Sequence, residues 1–168
     1  SLLEANQKAL DLGFAYAREH FTCPLPFRAV RLDRTAGHIM IDGNTTAALG
    51  CLFAGATVGA WYPITPSTSL MDAFRKFAEK WRKDPETGRT NVCIVQAEDE
   101  LAAIGMVLGA GWNGARAFTP TSGPGISLMN EFLGYGYYTE IPAVLFNVQR
   151  CGPSTGMPTR TQQADLMA

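Results

Sequence analysis

Hydrophobic positions along the chain fall first into a helical period and then into short apolar runs separated by amphipathic segments. From Ser1 to His20, residues Leu3, Leu10, Phe14 and Ala17 return to roughly one face, which predicts an amphipathic helix. Pro24-Leu25-Pro26 ends it, and a linker with short extended pieces follows to about Ile41. Asp42-Gly43-Asn44 marks a turn, and Asn44 or Thr45 is placed to cap a helix of small residues, Thr46 to Ala56. Beyond it the two kinds of run alternate. Strands are predicted over Thr57–Tyr62, Val92–Gln96, Ala115–Thr119 and Ala143–Val148, and helices over Ser67–Arg82, Glu98–Gly111 and Gly125–Tyr135. Lys83–Asn91 is a polar loop. This βαβ rhythm predicts an α/β fold, a parallel sheet with helices on both faces.

Composition narrows the class. A chain of 168 residues, 46% hydrophobic, is long enough for an ordinary globular α/β core. A formal net charge of −1 gives no electrostatic case for nucleic acid or a membrane surface as partner. No apolar run is long enough to span a bilayer, and no signal-peptide pattern opens the chain. The four cysteines, Cys23, Cys51, Cys93 and Cys151, stand far apart without a C-x-x-C. That spacing argues against a zinc site or an iron–sulfur cluster within this chain and for a reducing, cytoplasmic setting. The ends read as cut, with no initiator Met and a last helix beginning near Leu166-Met167-Ala168. The expected organisation is therefore a segment of a longer protein. Residues 1–41 supply a helix and linker from a preceding domain, and residues 42–168 a second domain truncated at its C-terminal end.

Chemistry concentrates in the loops that follow the strands. Trp61-Tyr62-Pro63-Ile64-Thr65-Pro66-Ser67 ends an apolar strand with two prolines, neither of which can donate to a sheet ladder. Ser67 or Ser69 is then placed to cap the next helix, and Thr65 is held out at a strand end, where open α/β sheets bind ligands. Gln96-Ala97-Glu98-Asp99-Glu100 puts three acids in the first turn of a helix. For Asp99 and Glu100, complementing the helix dipole is sufficient explanation. Glu98 comes first after the strand and is expected to turn into the crevice, partly desolvated and able to act as acid or base. Thr119-Pro120-Thr121-Ser122-Gly123-Pro124-Gly125 lets a backbone pass close to a flat group or another chain, or else forms only a tight turn. It matches neither a G-x-G-x-x-G nor a P-loop. After the last strand, Asn147 to Thr159 is long for such a connection and rich in Gly, Pro and hydroxyls. Arg150 brings a guanidinium fork suited to a carboxylate, or a surface ion pair, and Thr155 and Thr159 add hydroxyl donors. His20 and His38 lie outside these loops, which disfavours a Ser-His-Asp or Cys-His hydrolase.

Taken together, Y-P-I-T-P-S at Tyr62–Ser67, Q-A-E-D-E at Gln96–Glu100, T-S-G-P-G at Thr121–Gly125 and Q-R-x-G-P-S-T-G-M-P-T at Gln149–Thr159 resemble the alpha subunit of 2-oxoacid:ferredoxin oxidoreductases. More narrowly, they are similar to its pyrimidine-binding domain in the thiamine diphosphate fold, with the 2-oxoglutarate subtype nearest. The resemblance implies oxidative decarboxylation of a 2-oxo acid to an acyl-CoA, with ferredoxin and coenzyme A as partners. It implies that Glu98 contacts N1′ of the thiamine aminopyrimidine, where a shared proton favours the 4′-imino tautomer. Thr65 is then near the substrate carbonyl and carboxylate, and Arg150 and Thr159 hold that carboxylate. Pro63, Thr65, Ser122 and Gly123 are implied to border the cofactor. The diphosphate, its Mg²⁺ and a [4Fe-4S] cluster are implied in the partner beta subunit, not in this segment. Two other readings stand beside this one. The first is a thiamine enzyme of another class, decarboxylase or acetolactate synthase-like, which the Y-P-I-T-P-S and Q-R-x-G-P-S-T-G segments disfavour. The second is a degenerate interaction domain, which has no use for Glu98, Thr65 and Arg150 together.

Overall fold

The structure is a computed structural model that describes residues 1–150. Two compact units emerge, Ser1–Ile39 and the remainder from Met40 onward. In the first, helix α1 (Leu2–His20) starts at a capping box in which the Ser1 side chain accepts from Glu4 N and the Glu4 carboxylate returns to the Ser1 amine. No residue of α1 is buried among the described residues. A 3₁₀ turn at Asp33–Thr35 is the other regular piece of this unit.

The second unit is a four-stranded, all-parallel sheet. Its elements are α2 (Gly43–Phe53), β1 (Val58–Trp61), α3 (Thr68–Trp81), β2 (Cys93–Gln96), α4 (Glu100–Trp112), β3 (Ala117–Thr121), α5 (Gly123–Tyr138) and β4 (Val144–Asn147), and the strands lie in the order β2-β1-β3-β4. Strand alternation divides the core between two faces. Trp61, Ile94, Phe118 and Phe146 pack with Leu70, Met71 and Phe74 of α3 and Leu52 of α2. Val58, Ala60, Ala117 and Leu145 pack with Ala103, Ile104 and Val107 of α4 and Met129 of α5. The sheet is thus covered by helices on both faces, as the sequence rhythm predicts. Phe74 and Phe118, both essentially without solvent exposure, meet edge to face at 4.8 Å. Each such side chain contributes roughly 1.5–3 kcal/mol by burial.

Boundaries differ from the sequence reading wherever a side chain takes an unforeseen partner. α2 begins at Gly43 because Asp42, not Asn44 or Thr45, is its cap. Asp42 Oδ2 accepts from Thr45 Oγ1 at 2.6 Å and Oδ1 from Thr45 N at 2.9 Å, and these bonds hold its carboxyl below the usual carboxylate range. Asn44 instead donates to the Pro66 carbonyl at 2.9 Å and to Ser69 Oγ at 2.8 Å, which ties the start of α2 to the start of α3. Ser67 occupies the cap position of α3 but gives its hydroxyl to the Ile64 carbonyl. β3 runs through Pro120 to Thr121, two residues beyond the expected strand. The Thr121 carbonyl accepts from Val148 N on the β4 side, so alternation turns the Pro120 backbone toward β1. Pairing with β1 stops at Gly59–Phe118, and the missing N–H of Pro120 therefore breaks no ladder.

The core also fixes the chemistry of one thiol. Cys51 on α2 is buried, and desolvation pushes its pKa up to about 11, whereas Cys23 and Cys93 are exposed. An alkylating reagent at pH 8 is expected to modify Cys23 and Cys93 in the native protein. Cys51 should react only above about pH 11 or after unfolding, as peptide mapping of labelled sites will read. Rapid native labelling of Cys51 would contradict its placement in the core.

Candidate functional site

In a parallel sheet every strand ends on the same side, so the starts of the four loops singled out in the sequence, the last of them described as far as Arg150, gather at one edge of the unit. β1 leads into Tyr62–Ser67, with a cis peptide bond between Thr65 and Pro66. β2 leads into Ala97–Asp99, and Ala97 N donates to the Trp61 carbonyl at 2.7 Å, joining the first two loops at their roots. β3 leads into Ser122 and the first turn of α5, and β4 into Val148–Arg150.

Three of the expected site residues meet at one atom. The Thr65 carbonyl accepts from Arg150 Nη1 at 3.0 Å and from Ser122 Oγ at 3.5 Å. These partners lie 85 and 57 residues away along the chain, so the fold itself builds the cluster. The Thr65 side chain is exposed, as is Pro63, and both present the outer surface of the loop. From the sequence, Arg150 reads as a guanidinium fork suited to a carboxylate or as a surface ion-pair partner. It is only 6% exposed, and one of its N–H groups is committed to the protein backbone. Ser122 has no exposed surface and Gly123 is buried, so they support the loop from behind. Thr159, Thr155 and Cys151 lie outside the described residues.

The carboxylates divide differently from the sequence reading. Asp99 is the N-cap of α4, its Oδ1 accepting from Ala102 N at 2.7 Å, and the helix begins at Glu100. Glu98 precedes the cap and is exposed, whereas Glu100 is 7% exposed. The expectation that Glu98 turns into the crevice is therefore corrected. The cap at Asp99 directs the acid one position later into the protein, because the first helical residue is rotated onto the packed side of α4. From the sequence alone, Glu100 reads as a dipole-complementing acid. The signal available was the position of Asp99, a strong N-cap residue just ahead of an apolar helix.

Glu100 lies against the first turn of α5. A Cβ added at Gly125 would stand 2.9 Å from Glu100 Cγ and would overlap Thr121 Oγ1. Gly125 is thus the residue that allows α5, α4 and β3 to close on one another at this edge. Thr119 and Thr121 are fully buried there, and neither Oγ1 has a hydrogen-bond partner among the described residues. A buried carboxyl-bearing side chain beside a helical turn in which Gly123 and Gly125 carry no side chain fits a flat, nitrogen-bearing heterocycle. Among the described residues no group of three or more His, Cys, Asp or Glu side chains gathers as a metal site. No helix among them is long and apolar enough to cross a membrane.

Comparison with known proteins gives a consistent result. A family model described as pyruvate flavodoxin/ferredoxin oxidoreductase, thiamine diphosphate-binding, matches residues 49–168. The 2-oxoacid:ferredoxin oxidoreductase subunit alpha of Saccharolobus solfataricus is 48% identical over 132 residues, 77% of this chain and 21% of that protein. The 2-oxoglutarate synthase subunit KorA of Methanocaldococcus jannaschii is 45% identical over 127 residues, 76% of this chain and 32% of that protein. A solved structure of 2-oxoglutarate:ferredoxin oxidoreductase from Magnetococcus marinus, with 2-oxoglutarate, coenzyme A and succinyl-CoA bound, superimposes with a TM-score of 0.74 at 38% identity. That match covers 96% of this chain and 26% of the solved one. The chain thus spans between a fifth and a third of the length of these relatives.

Proposed function

The chain belongs to the pyruvate flavodoxin/ferredoxin oxidoreductase, thiamine diphosphate-binding family, and from that premise we propose that it is the aminopyrimidine-binding segment of an alpha-type subunit of a 2-oxoacid:ferredoxin oxidoreductase. The substrate is 2-oxoglutarate, the products are an acyl-CoA and CO₂, and the electrons leave to ferredoxin. Relatives named for 2-oxoglutarate, and a structural neighbour holding 2-oxoglutarate and coenzyme A, support that choice of acid. Residues 42–168 form the pyrimidine domain, and residues 1–41 come from the domain before it.

The observation that carries the reading is the placement of Glu100: a carboxylate enclosed at the strand-end edge, against a glycine turn and buried hydroxyls. Thiamine diphosphate supplies the carbanion chemistry when it is bound. The chain's contribution is positional and protonic. Glu100 holds a proton at N1′ of the aminopyrimidine, the role first assigned to Glu98, and its enclosure keeps water from competing for that proton. The Tyr62–Ser67 loop presents Thr65 toward the oxo acid. Arg150 anchors that loop through the Thr65 carbonyl, and its positive charge favours the substrate carboxylate nearby. Thr159 adds a hydroxyl to the same carboxylate. Ser122 holds the Thr65 carbonyl and, with Pro63 and Gly123, borders the cofactor. The diphosphate, Mg²⁺ and a [4Fe-4S] cluster are assigned to the partner beta subunit.

The test is viologen-dye reduction by the complete protein assembled with its partner subunit. The acids are 2-oxoglutarate, pyruvate and branched-chain 2-oxo acids, each with and without thiamine diphosphate and coenzyme A. Thiamine-dependent reduction fastest with 2-oxoglutarate is expected. No reduction with any acid, from a complex with bound cofactor and intact clusters, would overturn the proposal. The 168 residues alone are expected to fold, to bind thiamine diphosphate very weakly and to turn over nothing. Oxidation of a 2-oxo acid by the segment alone would refute the assignment of the diphosphate site to the partner.

A further inference from the structure

β3 carries hydroxyl groups that the fold buries and leaves without partners. Thr119 and Thr121 have no solvent exposure, and neither Oγ1 is hydrogen-bonded among the described residues. Ala117 packs against α4 and its neighbours, and strand alternation puts Thr119 and Thr121 on that same face. There the first turns of α4 and α5 converge. A single Cβ at Gly125 would strike both Thr121 Oγ1 and Glu100 Cγ, so little more than the room of one methyl group separates the hydroxyl from the acidic side chain. Valine would fill the Thr121 position with nearly the same shape, favour the strand at least as well, and leave no unpaired donor. The chain nevertheless keeps a hydroxyl there, beside a carboxylate that, when ionised, can only accept.

We propose that Thr121 is the positioning residue for Glu100: its hydroxyl donates to the Glu100 carboxylate in the cofactor-bound enzyme and fixes the side-chain conformation that presents the carboxylate to the aminopyrimidine. The inference rests on the role given to Glu100 above. Thr121 is enclosed and reaches neither cofactor nor substrate, so it acts only through Glu100. Gly125 keeps the space between them open.

The experiment uses the assembled enzyme with Thr121→Val, Thr121→Ser, Glu100→Gln and the Thr121→Val/Glu100→Gln double variant. Readouts are the Kd for thiamine diphosphate from titration of the apo complex, kcat and KM for 2-oxoglutarate, and the apo Tm. Thr121→Val is expected to weaken cofactor binding and lower kcat by about tenfold each, the scale of one charge-assisted hydrogen bond. KM should stay in place, and the apo Tm should hold or rise, because Val removes a buried hydroxyl that has no partner without cofactor. Thr121→Ser, which keeps the donor and loses the methyl, should recover most of the loss, and Thr121→Val should add nothing once Glu100 is Gln. Wild-type behaviour of Thr121→Val, or failure of Thr121→Ser alone, would mean that the methyl group matters and would overturn the proposal. So would additivity in the double variant, which would assign the hydroxyl to another partner. Unimpaired Glu100→Gln would overturn the role of Glu100 as well, and that failure is visible in the single variant alone.

Discussion

Replacing Glu100 by Gln is expected to lower thiamine-dependent turnover of the assembled enzyme by about 10²–10⁴-fold, the usual worth of one positioned acid–base group. Glu98→Gln should leave turnover close to wild type. Gln matches Glu in shape and keeps the packing against Gly125, so the loss reports the missing proton-holding oxygen and not a disturbed core. The two variants differ only in which side of the Asp99 cap they lie. Glu98 is in solvent ahead of the helix, and Glu100 is enclosed in its first turn. The comparison is read as kcat at saturating cofactor, with the apo Tm as a control for folding. Loss in Glu98→Gln with Glu100→Gln spared would return the role to Glu98 and require that the assembled partner enclose it.

Gly125→Ala should be the most damaging small substitution at this edge. Helix propensity alone favours Ala over Gly by about 1 kcal/mol, so an open position would gain stability. Here the new methyl overlaps Thr121 Oγ1 and stands 2.9 Å from Glu100 Cγ and 3.2 Å from Thr121 Cβ. Thr121 is β-branched and fully buried, and it cannot turn aside freely. Overpacking of this kind costs about 1–3 kcal/mol, enough to reverse the propensity gain. The functional loss should be larger, because either α5 moves off β3 or Glu100 is pushed out of place. A displacement near 1 Å costs about 10²-fold in rate. Tm and kcat measured together check both parts, and a Gly125→Ala variant more stable than wild type would show the edge to be looser than the packing indicates.

Much of this architecture is legible in the sequence, and the failures share a physical cause. The apolar runs around Val58–Trp61 and Cys93–Gln96 and the amphipathic run of α3 declare themselves through local periodicity. The choice between Glu98 and Glu100 depends on where α4 starts. Successive helical residues turn by about 100°, so a two-residue error in the start moves an acid to the opposite face. Three acids in succession hide that start until Asp99 is recognised as the cap. Pro120 reads as a strand terminator because the absence of β1 pairing beyond Phe118 is a tertiary fact. Arg150 reads as a strand-end fork because its partner, the Thr65 carbonyl, lies 85 residues earlier. Glycine at position 125 is visible in the sequence, but its reason is the approach of two other elements.

The bonds from Arg150 and Ser122 to the Thr65 carbonyl have a thermodynamic consequence. An untethered loop would surrender its backbone freedom each time a ligand arrived, at about 1–2 kcal/mol per residue fixed. Here the peptide group of Thr65 is oriented by donors that belong to the folded chain, and Ser67 and Asn44 secure the next two carbonyls upstream and downstream of it. That freedom is lost once, during folding, and each later encounter with a ligand meets a surface already in its working shape.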